Sequence, residues 1–222
     1  HFDYVGGPRN YKWLNVTPLP KIWEQLHLAW RHGADRIWIV NVGDLTPMEI
    51  PIEFFLTYAW DPARWPCETL DHYAEAWATR EFGPAHAAEI AALASAYPKL
   101  NRRRTPELLA PETFSLVNYR EADRVLADWR DLAARAQRVA AALPAPAQPA
   151  FFQLVQHPIE ASANLNELLV AAGLNRLHAA QGRASANARA ERVRSLFARD
   201  AALTRRWDDL LDGKWRHLMD QV

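Results

Sequence analysis

The sequence predicts an α/β segment joined to an all-α one: the closing β-α units of a TIM-type (β/α)8 barrel, followed by an α-helical bundle. Three observations carry that expectation. Residues 1–62 contain three alanines and the rest of the 222-residue chain contains 36, a step toward helix-favouring composition. The run from Asp35 to Asp44 is almost continuously apolar and rich in β-branched residues, as strands buried on both faces of a parallel sheet are. Farther along, Val125, Trp129, Leu132, Ala136, Val139 and Leu143 recur at alternating intervals of four and three, the spacing of a one-sided helix.

The elements follow in order. His1 to Val5 alternates as a short strand does, and Gly6-Gly7-Pro8 stops it with backbone that glycine adopts easily. Leu19-Pro20 opens a helix, proline being at home in a first turn, and Ile22, Leu26, Ala29 and Trp30 form its apolar side. His32-Gly33 supplies a stop, and the strand within 35–44 comes next. Leu45-Thr46-Pro47 opens a second helix through Phe54, Phe55 and Tyr58, with Glu49 and Glu53 near its positive end. Two β-α units in succession suit a parallel sheet whose site lies at the strand carboxyl ends. A whole barrel of this kind takes about 250 residues, so residues 1–62 amount to its last quarter. The chain opens inside a strand, without an initiator Met or a leader, and reads as a section of a longer protein.

Residues 63–222 form the second part. The boundary falls in Tyr58-Ala-Trp-Asp-Pro-Ala-Arg-Trp-Pro66, where two prolines interrupt any helix and Trp60 and Trp65 are placed to seal the seam. Helices are expected at roughly 67–81, 84–97, 119–143, 147–156, 158–181 and 184–212, the last closed by Gly213. Trp77, Trp129, Trp207 and Trp215 are expected in or at the edge of the bundle core.

Composition excludes several function classes. Lys plus Arg equals Asp plus Glu at 26 each, which leaves no overall field to draw nucleic acid or an anionic membrane. The short basic run Arg102-Arg103-Arg104 has no aromatic platform beside it. Cys67, the single cysteine, rules out an internal disulfide framework. No apolar run reaches membrane-spanning length. The eight histidines contain no i,i+4 pair and no His-Glu-x-x-His, and no P-loop or dinucleotide fingerprint occurs, so neither a metal nor an organic cofactor is expected.

What remains is a rim of polar residues at neighbouring strand ends: His1, Asp3, Tyr4, Arg9 and Asn10 from the first, Asn41 and Asp44 from the second. Such a rim suits a sugar carboxylate and its hydroxyls, with Arg9 or His1 as charge-assisted donors, Tyr4 as a phenol and Asn41 as both donor and acceptor. The same residues admit a structural reading in which Asp3 and Asp44 cap helices and Arg9 pairs with one of them. Asp44 and Glu49 read as a helix N-cap and a first-turn dipole partner rather than a catalytic carboxylate pair. A non-catalytic helical interaction module carrying a remnant of barrel, with the bundle surface as its binding element, is the competing class, and an exposed apolar stripe on 119–143 or 184–212 would favour it; the helical domain is also the place where a homo-oligomer would form.

His1-Phe-Asp-Tyr-Val-Gly-Gly-Pro-Arg-Asn-Tyr-Lys-Trp-Leu-Asn15, Lys21-Ile-Trp-Glu-Gln25 and Asp35-Arg-Ile-Trp-Ile-Val-Asn-Val-Gly-Asp44 resemble the last barrel segments of glycoside hydrolase family 115, the xylan α-1,2-glucuronidases. Asn101-Arg-Arg-Arg104, Ala161-Ser-Ala-Asn-Leu-Asn-Glu-Leu168, Ala179 to Asn187 and Gly213-Lys-Trp215 resemble the helical domain that follows that family's barrel. The resemblance implies an inverting hydrolase, free of metal and organic cofactor, that removes glucuronic acid or its 4-O-methyl ether from glucuronoxylan or its oligosaccharides, in the periplasm or outside the cell. It implies substrate contacts for Tyr4 and Asn41 and places His1 and Arg9 in the pocket. The family's acid and base carboxylates belong to earlier strands, so the isolated chain is expected to be inactive. Another acidic or N-acetylated sugar as substrate is a further reading.

Overall fold

The computed structural model describes residues 1–5, 11 and 13–220; the glycine stop at 6–8, Arg9 and Asn10 lie outside them. The fold is mostly helical, with one two-stranded sheet among the described residues. Strand β1 (Phe2–Asp3) and strand β2 (Val40–Asn41) pair in parallel, Phe2 opposite Val40 and Asp3 opposite Asn41. Helices α1 (Leu19–Arg31) and α2 (Glu49–Trp60) follow the two strands and pack on each other.

Both units form, but the second strand is far shorter than the apolar run around it. Alternation explains what the run does instead. Trp38, Val40 and Val42 turn toward the core against α2, joined by Phe2 from β1, whereas Ile37 is 79% and Ile39 58% exposed on the opposite face. No described element covers that side, so this part of the chain is apolar on both faces while only one is buried.

The helical part matches the expected segments with three corrections. Helices α3 (Leu70–Phe82), α4 (Ala87–Asn101) and α5 (Glu121–Ala142) fall close to their predicted places, and α5 buries Val125, Trp129, Leu132, Ala136 and Val139 as its spacing required. The break expected at Pro158 does not occur. Helix α6 (Gln148–Phe151) runs through a π-helical stretch, Phe152–Gln156, directly into α7 (His157–Ala180). The wider turn, closed by the His157 N–H on the Phe152 carbonyl, takes up the register where Pro158 has no N–H to give. Helix α8 (Ser185–Asp208) ends before Gly213. A turn with Leu211 and Asp212 at positive φ intervenes, and Gly213, φ 80°, completes that turn rather than the helix.

One apolar core runs across residue 62. Ile22, Phe54, Phe55 and Tyr58 share it with Tyr73, Trp77, Ile90, Trp129 and Ile159. The third correction concerns the seam. Trp65 seals it, its carbonyl accepting from the Trp23 indole at 2.8 Å and its ring standing edge-on to Tyr73 with centroids 5.0 Å apart. Trp60, 91% exposed, takes no part. Trp23 stacks on His27, whose Nδ1 lies 2.9 Å from the Tyr58 hydroxyl, which binds α1 to α2.

Trp77, Trp129 and Trp207 are buried, and Trp215 packs against the edge of a second core. That core fixes Trp13 and Leu14 on Phe152, Ala161 and Trp207. The apolar faces of α5 and α8 are covered by neighbouring helices, Phe197 on α8 excepted. Among the described residues no helix is long and apolar enough to cross a membrane.

Candidate functional site

Parallel pairing brings the carboxyl ends of β1 and β2 together, which is what gathers the predicted rim. Asn41 is exposed, and its Nδ2 donates to the Val5 carbonyl at 3.3 Å. Its own carbonyl accepts from the Tyr4 N–H at 2.9 Å. His1 and Asp3 are exposed on the same open face as Asn41, with His1 Nε2 at 3.7 Å from Asp3 Oδ1. The open face therefore presents an imidazole, a carboxylate and a carboxamide within two adjacent strands, enough to donate to and accept from several hydroxyls.

Tyr4 is set apart from them. Strand alternation sends it with Phe2 to the helix-covered side, where the two rings meet edge-on at 5.2 Å. There it is buried, and its hydroxyl donates to the Pro51 carbonyl of α2 at 2.7 Å. Burial raises its pKa far above the ordinary phenol value. What Tyr4 brings to the rim in this state is the placement of the β1 end on α2. Parity alone, reading His1 and Asp3 as one face and Phe2 and Tyr4 as the other, would have separated these residues in the sequence.

Asp44 does not cap α2, which starts at Glu49 with Met48 as its N-cap and no side-chain cap bond. The intervening Thr46-Pro47 turn puts Asp44 too far upstream. Glu49 does occupy the first turn. It accepts from the Thr46 hydroxyl at 2.6 Å, and burial, ahead of that stabilising bond, raises its pKa.

A second set of buried polar groups lies on the inner side of α7 and went unread in the sequence. His157, Glu160 and Asn164 recur at intervals of three and four, so one helical face turns polar groups inward. Glu160 accepts from Gln137 at 3.0 Å and from Gln156 at 2.9 Å, with Arg206 at 4.0 Å. His157 sits among Trp13, Phe152 and Trp207, its ring 4.8 to 5.5 Å from theirs. Burial, aided by the positive charge of Arg206, lowers its pKa to about 3. Polar residues at helical spacing inside an otherwise apolar stretch were the available signal.

Among the described residues one group has the proximity a metal ion would need: Asp208, His217 and Asp220, with ligand atoms within 4.8 Å of one another. These groups already bond to each other. Asp208 accepts from the His217 N–H at 3.0 Å, and His217 Nδ1 lies 2.9 Å from Asp220, so the cluster serves as a clasp on the terminal turn.

Comparison with known proteins finds its likeness in one class, the glycoside hydrolases. Residues 1–108 match the family model described as Glycosyl hydrolase family 115. Over 98% of its length the chain is also similar to a solved family GH115 4-O-methyl-alpha-glucuronidase with specificity for decorated arabinogalactans, at 28% identity and a TM-score of 0.81. The chain spans 29% of that protein's length. No curated protein matches it.

Proposed function

We propose that this chain is the rim-bearing and helical section of an α-glucuronidase that removes glucuronic acid or 4-O-methylglucuronic acid side chains from a plant polysaccharide. The observation that carries the proposal is the one-sided cover of the strand pair. Helices bury the face of Phe2, Tyr4, Trp38 and Val40, while His1, Asp3, Ile39 and Asn41 stay open. A (β/α)8 barrel has that asymmetry, with helices outside and a lined interior whose site lies at the strand carboxyl ends. On this reading residues 1–62 are closing β-α units and 63–222 the helical domain behind them, sharing one core.

In the pocket, Asn41 and His1 contact the sugar, Arg9 pairs with its carboxylate, and Tyr4 holds the β1 end against α2. Hydrolysis proceeds with inversion. One carboxylic acid protonates the glycosidic oxygen and a second carboxylate activates water on the opposite face of the ring. Both carboxylates come from residues outside this chain, which sets the rim while the chemistry is done by its surroundings.

Glucuronoxylan is the substrate the family resemblance favours. The specificity of the solved relative for decorated arabinogalactans favours a second, arabinogalactan bearing the same uronic acid. The covered faces of α5 and α8 speak against a helical interaction module.

The test is in two parts. Purified chain incubated with glucuronoxylan and with decorated arabinogalactan should release no uronic acid. Glucuronic acid should perturb the rim in NMR spectra of the same protein, and Asn41→Ala should abolish that perturbation. Uronic acid release at the rate of an intact family enzyme would overturn the division of labour, and an Asn41→Ala spectrum that still responds would remove the rim from the site.

A further inference from the structure

A cavity of about 260 Å³ opens between Tyr11, Trp13 and Leu14 on one side and α7 and α8 on the other, sharing no lining residue with the strand ends. Its size falls just below the roughly 300 Å³ at which ordinary small-molecule pockets begin, room for one compact ring rather than an oligomer.

Its walls carry unmet hydrogen-bonding capacity. Trp13 Nε1, His157 Nδ1 and Asn164 Oδ1 belong to lining residues, are buried and have no hydrogen-bond partner among the described residues. The indole can only donate and the carboxamide oxygen can only accept. Buried polar atoms are nearly always paired, so three on residues that line one cavity set this place apart. Asn164 is fixed in position, its Nδ2 donating to the Leu196 carbonyl at 3.1 Å.

The remaining lining sorts the occupant. Tyr11, Trp13 and Phe197 give aromatic surface, and Asp200 and Thr204 add a carboxylate and a hydroxyl. Aromatic surface beside hydroxyl-binding groups suits a ring with apolar C–H faces and polar edges. Asp200 is the one charged residue of the described lining. It disfavours an anionic guest, and no cation among the described lining residues offsets it.

We propose that this cavity binds a neutral sugar unit, with Asp200 and Thr204 taking its hydroxyls and Trp13 and Asn164 completing their hydrogen bonds on it. The site is separate from the uronic acid rim. It rests on the carbohydrate reading above only in the choice of guest, and would hold a main-chain or branch sugar of the polysaccharide while the rim holds the acid.

The test uses the full 222-residue chain, with xylose, galactose and glucuronic acid as separate probes at millimolar concentration. The readout is the Trp13 indole N–H signal in NMR spectra, identified by its loss in Trp13→Phe. Xylose or galactose should shift this signal saturably and glucuronic acid should not. Asp200→Ala, a change at an exposed residue, should weaken the neutral sugar by about tenfold, and Asn41→Ala should leave it unchanged.

No shift with either neutral sugar overturns the proposal, as does an equal shift with glucuronic acid. Unaltered affinity in Asp200→Ala, or loss of the neutral sugar in Asn41→Ala, overturns it as well. A rim silent to glucuronic acid, with the Trp13 response to neutral sugars intact, defeats the rim reading alone.

Discussion

The neutral histidine enclosed by three aromatic rings makes a quantitative demand on stability against pH. His157 is 2% exposed, and its pKa falls from 6.5 to about 3 in the folded chain. The unfolded chain takes up a proton near 6.5 that the folded chain refuses. The stability tied to this residue is therefore fully present above that pH and declines as the pH falls from 6.5 toward 3. Each pH unit within the window costs about 1.4 kcal/mol, so lowering the pH from about 7 to about 5 removes about 2 kcal/mol on account of this side chain. His157→Phe, which suits a site walled by Trp13, Phe152 and Trp207, cannot titrate and should escape that loss. Urea unfolding at the two pH values, followed by tryptophan fluorescence, gives the stability of both proteins. The quantity of interest is the difference between their pH-dependent losses, because the carboxylates are common to both and cancel. His157→Gln serves the same purpose should the phenyl ring prevent folding. Equal losses in wild type and variant would show that His157 protonates as readily folded as unfolded, and the burial argument would fail.

Three further outcomes follow from the packing. Removing the positive charge in Arg206→Ala should raise the His157 pKa, since Arg206 is the second cause of its depression; an unchanged or lower value in an NMR titration would contradict this. Gly173→Ala should destabilise the chain by about 1–3 kcal/mol, because a Cβ there would stand 2.5 Å from the Pro111 carbonyl oxygen and 2.9 Å from Leu116. A rise in Tm, as helix propensity alone would give, would mean that the 109–118 loop yields freely. Tyr4→Phe should cost about 0.5–1.5 kcal/mol through its lost bond to the Pro51 carbonyl, measured by urea unfolding, and a variant as stable as wild type would show that bond to be idle.

The parts of the fold legible in the sequence are those where periodicity and burial agree. Helix α5 shows this best, its four-and-three spacing becoming a buried stripe without exception, and α1 and α2 follow the same logic. The β-branched run at 35–44 exceeds the strand it contains, Val40–Asn41, because an apolar sequence states which residues can be buried, while tertiary neighbours decide which are. Pro158 looked like a break because local chemistry weighs against a helical proline, yet a π turn one step earlier let the helix continue. Parallel strands place their ends together, which is why His1, Asp3 and Asn41 share one open face. Grouping by sequence neighbourhood puts Tyr4 with Asp3, whereas strand parity sets them on opposite faces. The polar side of α7 was overlooked for the opposite reason: its signal is weak in composition and becomes plain only when His157, Glu160 and Asn164 are counted along a helix.

The core that crosses residue 62 bears on how such a section can be inherited or exchanged. Phe54 meets Tyr73 edge-on with ring centroids 4.9 Å apart, and the Trp23 indole is held by the backbone of Trp65. Recombination at the composition step would split these contacts and leave both daughters with an open aromatic wound. A junction beyond α4 keeps them within one piece, and the family model's match, residues 1–108, also runs past the end of that helix. A chimera that preserves folding should therefore carry the strands together with at least α3 and α4, and since the same core reaches Trp129 and Ile159, shared packing rather than the change from strand to helix limits where a junction can fall.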